Sequence, residues 1–316
     1  MNNNKVRVGV IGVGSLGQWH ARIYSELQDT ELVGVYDADF ARAQEIAERY
    51  NAHPFKTMDD LGAACDAASI VVPTNLHYDV FQQMLPHKIH MLVEKPIALS
   101  YTQAKAMVTQ AEANGIVLQV GHVERFNPVM AFLEDHLSNA RFIEATRLAP
   151  YPPLRDGAPP RGTEVSVVLD LMIHDLDIIL QLARSPVKSI NATGVAVLSP
   201  TEDIANARIS FENGCVANVT ASRISQDKLR KIRVFQDNTY LSLDYMNQTG
   251  QLCRKTKSGI EAMAVPIEKA EPLAKELQSF VHCIRHKNNP VVTGEDGTAA
   301  LRLAVAICQT IQENPS

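Results

Sequence analysis

Lys95 closes an apolar run, Ile89 to Val93, and Pro96 restrains its backbone, so the amine is fixed at one end of a strand. A lysine held partly out of water at such a place is suited to acid–base work near neutrality. Its plain alternative is a solvent-facing amine paired with Glu94. A second set lies in Val168-Leu-Asp170-Leu-Met-Ile-His174-Asp-Leu-Asp177-Ile-Ile-Leu180, where Asp170, His174 and Asp177 recur at i, i+4 and i+7. That spacing predicts one polar stripe on an otherwise apolar helix. An imidazole beside a carboxylate can take a hydroxyl proton and be stabilised as the cation. Lys95, His174 and Asp170 are therefore the candidate catalytic residues. Asp177 either meets substrate or only orients His174, and Asp175 is read as a solvent residue. A zinc site would need a further His or Cys nearby, so no metal is expected.

Acid–base residues of this kind need a partner reagent, and the chain opens on one. Val6-Arg-Val-Gly-Val-Ile-Gly12-Val-Gly14-Ser15-Leu16-Gly17 feeds a β-branched run into a glycine turn and an amphipathic segment, with Asp37 at the end of the next strand. Gly12 permits the tight turn, Gly14 lets the backbone approach a pyrophosphate, and Gly17 allows close helix–strand packing. The helix N-terminus adds free N–H groups and partial positive charge. Asp37 is placed to accept from ribose hydroxyls, which favours NAD; Arg42 nearby keeps NADP open. The alternative for Asp37, a helix cap, is better filled by Asp39. Expected cofactor contacts are Gly12, Gly14, Ser15, Leu16, Gly17, Asp37, Pro73, Thr74, Asn75, His77, Glu94 and Lys95, all at the turn or at strand ends.

The 316 residues suggest two domains. A formal charge of −5 without a long basic run argues against nucleic acid as a partner. Met-Asn-Asn-Asn-Lys is too short and polar for a signal peptide, and no apolar run reaches membrane-spanning length. The five cysteines are scattered, with no Cys-x-x-Cys pair, and read as reduced thiols of a cytoplasmic protein.

To about residue 124, short apolar strands alternate with helical segments. Strands are expected at 31–36, 67–72, 89–93 and 116–120, and helices at 41–50, 76–85 and 101–113. Such alternation predicts an α/β, doubly wound parallel sheet whose ligands lie outside the strands' carboxyl ends. From 125 the pattern changes. A helix at 128–137, a strand at 142–148 and a long helix from about 164 to 182 precede strand-like runs with turns at Glu212-Asn-Gly214, Gln236-Asp-Asn238 and Gln248-Thr-Gly250. This is an α+β domain on a mostly antiparallel sheet. Helices at 273–286 and 298–311 close the chain as part of the second domain, and could pack back on the first. At the junction, Gly121-His-Val-Glu-Arg125-Phe-Asn127-Pro128 offers Arg125 for an anionic group and Asn127 for a carboxamide or hydroxyl. Both equally suit a structural role there.

With these motifs in place, the chain resembles the glucose-fructose oxidoreductase / inositol dehydrogenase / MocA family along nearly its whole length. The likeness rests on Gly12-Val-Gly14-Ser-Leu-Gly17-Gln-Trp-His20, Pro73-Thr-Asn-Leu-His77, Glu94-Lys95-Pro96, Asp170-x-x-x-His174-x-x-Asp177 and the closing segments from Pro272 and Pro290. It implies a Rossmann domain followed by an open sheet used for substrate binding and oligomer contacts, as a homodimer or homotetramer. It also implies NAD- or NADP-linked oxidation or reduction of a sugar-like hydroxyl, with Lys95 and His174 at that hydroxyl and Asp170 placing it. Many members carry a glycine pair before the helix aspartate. This chain reads Glu164-Val-Ser-Val-Val168, so a more conventional backbone and a bulkier pocket wall are expected there. Residues 121–128 with 167–177 are similar to a narrower group, bacterial UDP-N-acetylglucosamine 3-dehydrogenases. On that likeness Tyr151, Arg155 and Arg161 could meet a uridine diphosphate, because guanidinium forks suit phosphate; an oligomer contact is the alternative. The rival substrates are a free sugar, inositol or another cyclic polyol. The rival class is a catalytically silent NAD(P)-binding regulator, against which the presence of both Lys95 and His174 speaks.

Overall fold

A computed structural model describes Lys5–Pro153, Pro160 and Gly162–Asn314. The chain forms two compact units, one running to Val123 and taking in Glu271–Thr298, the other comprising Glu124–Ala270 and the residues from Ala299 on.

The first unit alternates β1 (Val6–Ile11), α1 (Gly17–Glu26), β2 (Thr30–Tyr36), α2 (Phe40–Arg49), β3 (His53–Pro54), α3 (Met58–Ala64), β4 (Ala67–Ile70), α4 (His77–Met84), β5 (His90–Glu94), α5 (Tyr101–Ala113) and β6 (Leu118–Gly121). The strands pair in parallel in the order β3-β2-β1-β4-β5-β6. The order reverses beside β1, so the crevice at the carboxyl ends of β1 and β4 is where such sheets bind ligands. β4 and β6 are buried at every position, as expected of strands covered on both faces. Two elements escape the sequence reading. β3 is a two-residue edge strand ending in proline, and α3 is only seven residues long. Neither is long enough to display a period.

The second unit holds α6 (Pro128–His136), β7 (Phe142–Leu148), α7 (Ile173–Ala183), β8 (Val187–Val195), β9 (Ile204–Phe211), β10 (Val216–Ser222), β11 (Leu229–Gln236), β12 (Thr239–Asp244), β13 (Thr249–Thr256) and β14 (Gly259–Ala264). Its eight-stranded sheet runs β14-β13-β12-β11-β7-β10-β9-β8. Only the β7–β10 pair is parallel. Alternation fixes one buried face: Ala205, Ala207, Ile209 and Phe211 of β9 point inward, with Ala217, Val219 and Ala221 of β10. Ile173, Leu176 and Ile179 of α7 join them in one core. Gly214, Asn238 and Gln248 take positive φ at the hairpin turns.

α8 (Pro272–His286) and α9 (Gly294–Glu313) follow β14. α8 completes the first unit, since Leu277, Phe280 and Val281 share a core with Val8, Val10 and Leu92. Leu303, Ala304, Ile307 and Ile311 of α9 belong to the core of the second.

The start of α7 departs from expectation. Residues 162–165 form turns, and Val168–Met172 is wound as a π-helix before the α-helical part begins. The absent glycine pair therefore does not make the backbone conventional. The extra residue per turn shifts Asp170 out of the simple i, i+4, i+7 register.

Phe280 is fully buried. Phe280→Ala should cost about 3–5 kcal/mol and uncouple cofactor binding with it, measured by urea unfolding with and without NAD.

Candidate functional site

Each unit contributes one set of polar groups. In the first, the glycines at the end of β1 have distinct physical grounds. Gly12 has φ +86°, and a Cβ there would lie 2.7 Å from the Val71 carbonyl oxygen. A Cβ on Gly17 would lie 1.8 Å from the Gly12 carbonyl oxygen, so no other residue fits. Gly14 is different: among the described residues no atom comes within 4 Å of a Cβ built there. The chain itself does not demand glycine at that position, whereas a phosphate approaching the backbone does. Ser15 is exposed and Leu16 half-buried on the same turn. These residues fit a dinucleotide.

Asp37 belongs to this turn. Its carboxylate accepts from the Val13 and Asp39 N–H groups, each at 2.9 Å, and Arg42 lies 3.5 Å away. Asp39 caps α2 through the Arg42 N–H, as its spacing predicts. Arg42 also reaches Asp39 at 3.3 Å, so its guanidinium is held between two carboxylates.

At the ends of the later strands, Pro73 and Asn75 are exposed, Thr74 begins a short 3-10 turn, and Lys95 is half-buried after β5. Two expected cofactor contacts are revised. His77 is buried, with Nδ1 2.9 Å from the Pro96 carbonyl and Nε2 2.9 Å from that of Val72. It ties the loops after β4 and β5 to each other, and its ring faces inward. The Glu94 side chain is also buried: Oε1 lies 3.2 Å from His20 Nε2, and Oε2 accepts the Lys95 N–H at 3.3 Å. Burial opposes the Glu94 charge, but His20 and Lys95 outweigh it and hold this carboxyl below the usual carboxylate range.

In the second unit, Asp170 and His174 are half-buried, while Asp175 and Asp177 are buried. Gly162, with φ +82°, makes room for Asp170, since a Cβ there would lie 2.5 Å from Oδ2. The Gly162 carbonyl accepts from Arg223, which is buried and also donates to Asp203 at 2.8 Å, Val165 O at 2.9 Å, Thr201 at 2.8 Å and Glu202 O at 3.0 Å. Asp203 accepts from the Val197, Leu198 and Ser199 N–H groups on its other oxygen. Burial opposes the Asp203 charge, but these bonds and Arg223 push its carboxyl far below the ordinary range.

Beneath α7 the reading of Asp175 as a solvent residue is corrected. Asp175 is 1% exposed and bonded to Arg147, whose Nε lies 2.7 Å from Oδ2. Arg147 also reaches Glu124 at 3.1 Å, and Arg230 reaches the same oxygen at 3.3 Å. Burial disfavours the Glu124 charge, yet the two guanidiniums keep its carboxyl below the usual range. Arg125 and Asp177 approach to 3.4 Å with side chains 4% and 3% exposed, so these two expected substrate contacts meet each other. Asn127 is likewise engaged internally. Its Oδ1 caps α6 on the Val129 N–H, and its amide donates to Glu124 and to the Tyr245 carbonyl. Tyr151 is half-buried, its hydroxyl 3.1 Å from that of Ser199. Arg155 and Arg161 lie outside the described residues.

Sequence reasoning missed Arg147 and Arg223. Arg147 on β7 and Arg223 just after β10 look like solvent-facing residues until the sheet's buried face is known.

Two sequence profiles match the chain. That of an oxidoreductase family with NAD-binding Rossmann fold covers residues 6–122, and that of the GFO/IDH/MocA C-terminal domain covers 135–241. UDP-N-acetylglucosamine 3-dehydrogenase from Acidithiobacillus ferrooxidans is 35% identical over 311 residues, 96% of each chain. A solved structure of that enzyme superposes with TM-score 0.92 at 34% identity, covering 98% of both chains. NAD(+)-dependent scyllo-inositol 2-dehydrogenase of Bacillus subtilis is 27% identical over 322 residues, 96% of this chain and 93% of that one.

Gly14→Ala should keep the wild-type melting temperature while weakening NAD at least tenfold, about 1.4 kcal/mol; Gly17→Ala should lose stability as well. Calorimetric titration and thermal unfolding separate the two. Arg147→Met strands buried Asp175, while Glu124 keeps Arg230 and the Asn127 amide, and should cost about 3–5 kcal/mol at neutral pH, read by urea unfolding.

Proposed function

The chain belongs to the glucose-fructose oxidoreductase / inositol dehydrogenase / MocA family of oxidoreductases, and on that premise we propose that it oxidises the 3-hydroxyl of a UDP-amino sugar such as UDP-N-acetylglucosamine. The observation that supports this substrate is the full-length likeness to an enzyme of that name. NAD is the cofactor of choice in this reading. Asp37 stands at the turn with its carboxylate partly reachable, and Arg42 is held by Asp37 and Asp39, away from a 2′-phosphate.

NAD, when bound, would be held by the Gly12–Gly17 turn and Asp37 and would supply the hydride acceptor for the sugar carbon. The chain's own residues handle the proton and the orientation. In this reading His174 or Lys95 takes the hydroxyl proton, and Asp170 places the hydroxyl. Proton transfer of this kind contributes roughly 10²–10⁴-fold, and positioning adds more. The ion pairs under α7 keep the helix backbone fixed, so His174 and Asp170 hold one arrangement. Tyr151, Arg155 and Arg161 are the residues assigned to the uridine diphosphate. The assembly is proposed to be a homodimer or homotetramer, and the setting cytoplasmic. A second reading, oxidation of a free cyclic polyol, is favoured by the similarity to scyllo-inositol 2-dehydrogenase.

Mixing the protein with NAD and either UDP-N-acetylglucosamine or scyllo-inositol, and following the absorbance of reduced nicotinamide, decides between them. Turnover of inositol alone would replace the nucleotide-sugar reading. Lys95→Ala and His174→Ala should each lower kcat more than ~10²-fold with NAD affinity retained. Wild-type turnover in either variant would remove that residue from the mechanism.

A further inference from the structure

Behind Lys95 lies a set of buried ionisable groups that the proposed reaction does not use directly. Glu94 ends β5, His20 sits on α1 and Glu276 on α8. His20 and Glu276 are fully buried. Among the described residues, neither oxygen of the Glu276 carboxyl has a hydrogen-bond partner, and neither does the Gln119 side-chain oxygen. The Gln119 amide donates to the Glu276 backbone carbonyl at 3.3 Å, which ties α8 to β6 at this point. Gly121 leaves the space that Glu94 occupies, since a Cβ there would lie 2.9 Å from its carboxyl group.

We propose that His20, Glu94 and Glu276 form one buried electrostatic unit, holding a single carboxylate charge, that positions Lys95, with His20 and Glu276 as positioning residues. Lys95 is one of the two acid–base residues of the reading above, and this inference rests on that reading and deepens it. Two carboxyls in one dry compartment with a single imidazole cannot both ionise cheaply. Glu276 is the one that stays protonated: burial, with the Glu94 charge added, pushes its carboxyl well above the ordinary range. Glu94 then carries the single negative charge, faces His20, and keeps an oxygen on the Lys95 N–H. The other groups facing this compartment are His77 of α4 and Tyr24 of α1, with the Lys95 amine itself. His77 is fixed between two carbonyls, and the Tyr24 hydroxyl is bonded to Ser69 at 2.8 Å. Neither is placed to neutralise Glu276. If Glu276 ionises, repulsion between the carboxylates weakens the hold on the Lys95 peptide.

The sign of the pH effect follows. Above the unfolded carboxyl value of about 4.3, the native chain keeps a proton at Glu276 that the unfolded chain has lost, so stability declines as pH rises towards the folded value. Glu276→Gln keeps the shape and stays neutral. The ratio of its folding equilibrium constant to that of the wild type should therefore grow about tenfold per pH unit across that window, measured by urea unfolding from pH 5 to 9. Lys95 amide hydrogen exchange, corrected for intrinsic rate, reports the positioning bond without any substrate. Wild-type protection should fall at the alkaline end, and Glu276→Gln should retain it. His20→Ala should exchange at least tenfold faster, with His20→Asn as the second variant where alanine does not fold. A pH-independent stability ratio, or wild-type protection in the folded histidine variant, overturns the proposal. Failure of the wild type to oxidise UDP-N-acetylglucosamine would sink the substrate assignment and leave the exchange and stability results to decide this one.

Discussion

The Gly12 carbonyl lies so close to the Gly17 α-carbon that helix α1 can leave strand β1 only if Gly17 lacks a side chain, and Gly12 is held to glycine by its positive φ and the Val71 carbonyl. That contact sets where the N-terminal turn of α1 points and how far it sits from the sheet. It brings the Val13 N–H onto Asp37 and so links the first turn to the end of β2. Gly14, in open space between the two constrained glycines, is the position where the turn faces a ligand and not itself. The parallel sheet supplies the rest by ending β4 and β5 on the same side, with His77 bonded to the carbonyls that follow each strand.

In the second unit the governing constraint is buried charge. A helix that carries half-buried Asp170 on its π-wound start and half-buried His174 on its α-helical part must be held firmly by other contacts. Here the holding groups are guanidiniums inside the fold. Arg147 meets Asp175 directly under the helix, and Arg223 gathers the turn before it through the carbonyls of Gly162 and Val165. Removing two charges from water is costly, so such pairs are weak evidence for added stability. What they supply is directionality: bidentate, fully satisfied contacts specify one backbone path, including the π-wound turn that carries Asp170.

How much of this could be read from the sequence depended on the range of the forces involved. α5 and β7 match their expected limits, Tyr101–Ala113 and Phe142–Leu148, because Ser100 caps the first and strict alternation marks the second. The glycine turn and the assignment of Asp39 as a cap are equally local. Residues such as Asp175, Asp177, Asn127 and Glu276 were illegible for the opposite reason. Each is a polar side chain buried by elements distant in the chain, so the sequence shows a polar residue and nothing of its burial. β14, exposed at every position, offered no hydrophobic pattern at all. The π-wound start of α7 was hidden because its residues are ordinary helix formers.

The return of the chain to its first unit at Glu271 has a consequence for biosynthesis. A ribosome releases β1 to β6 long before it releases Leu277, Phe280 and Val281, which complete their hydrophobic core. Early in translation the nucleotide-binding half therefore carries an uncovered apolar wall, while everything from Glu124 to Ala270 is still emerging. Domains usually mature in the order they are made. This chain cannot follow that order, and its nascent form is a natural client for chaperones until the last helices arrive.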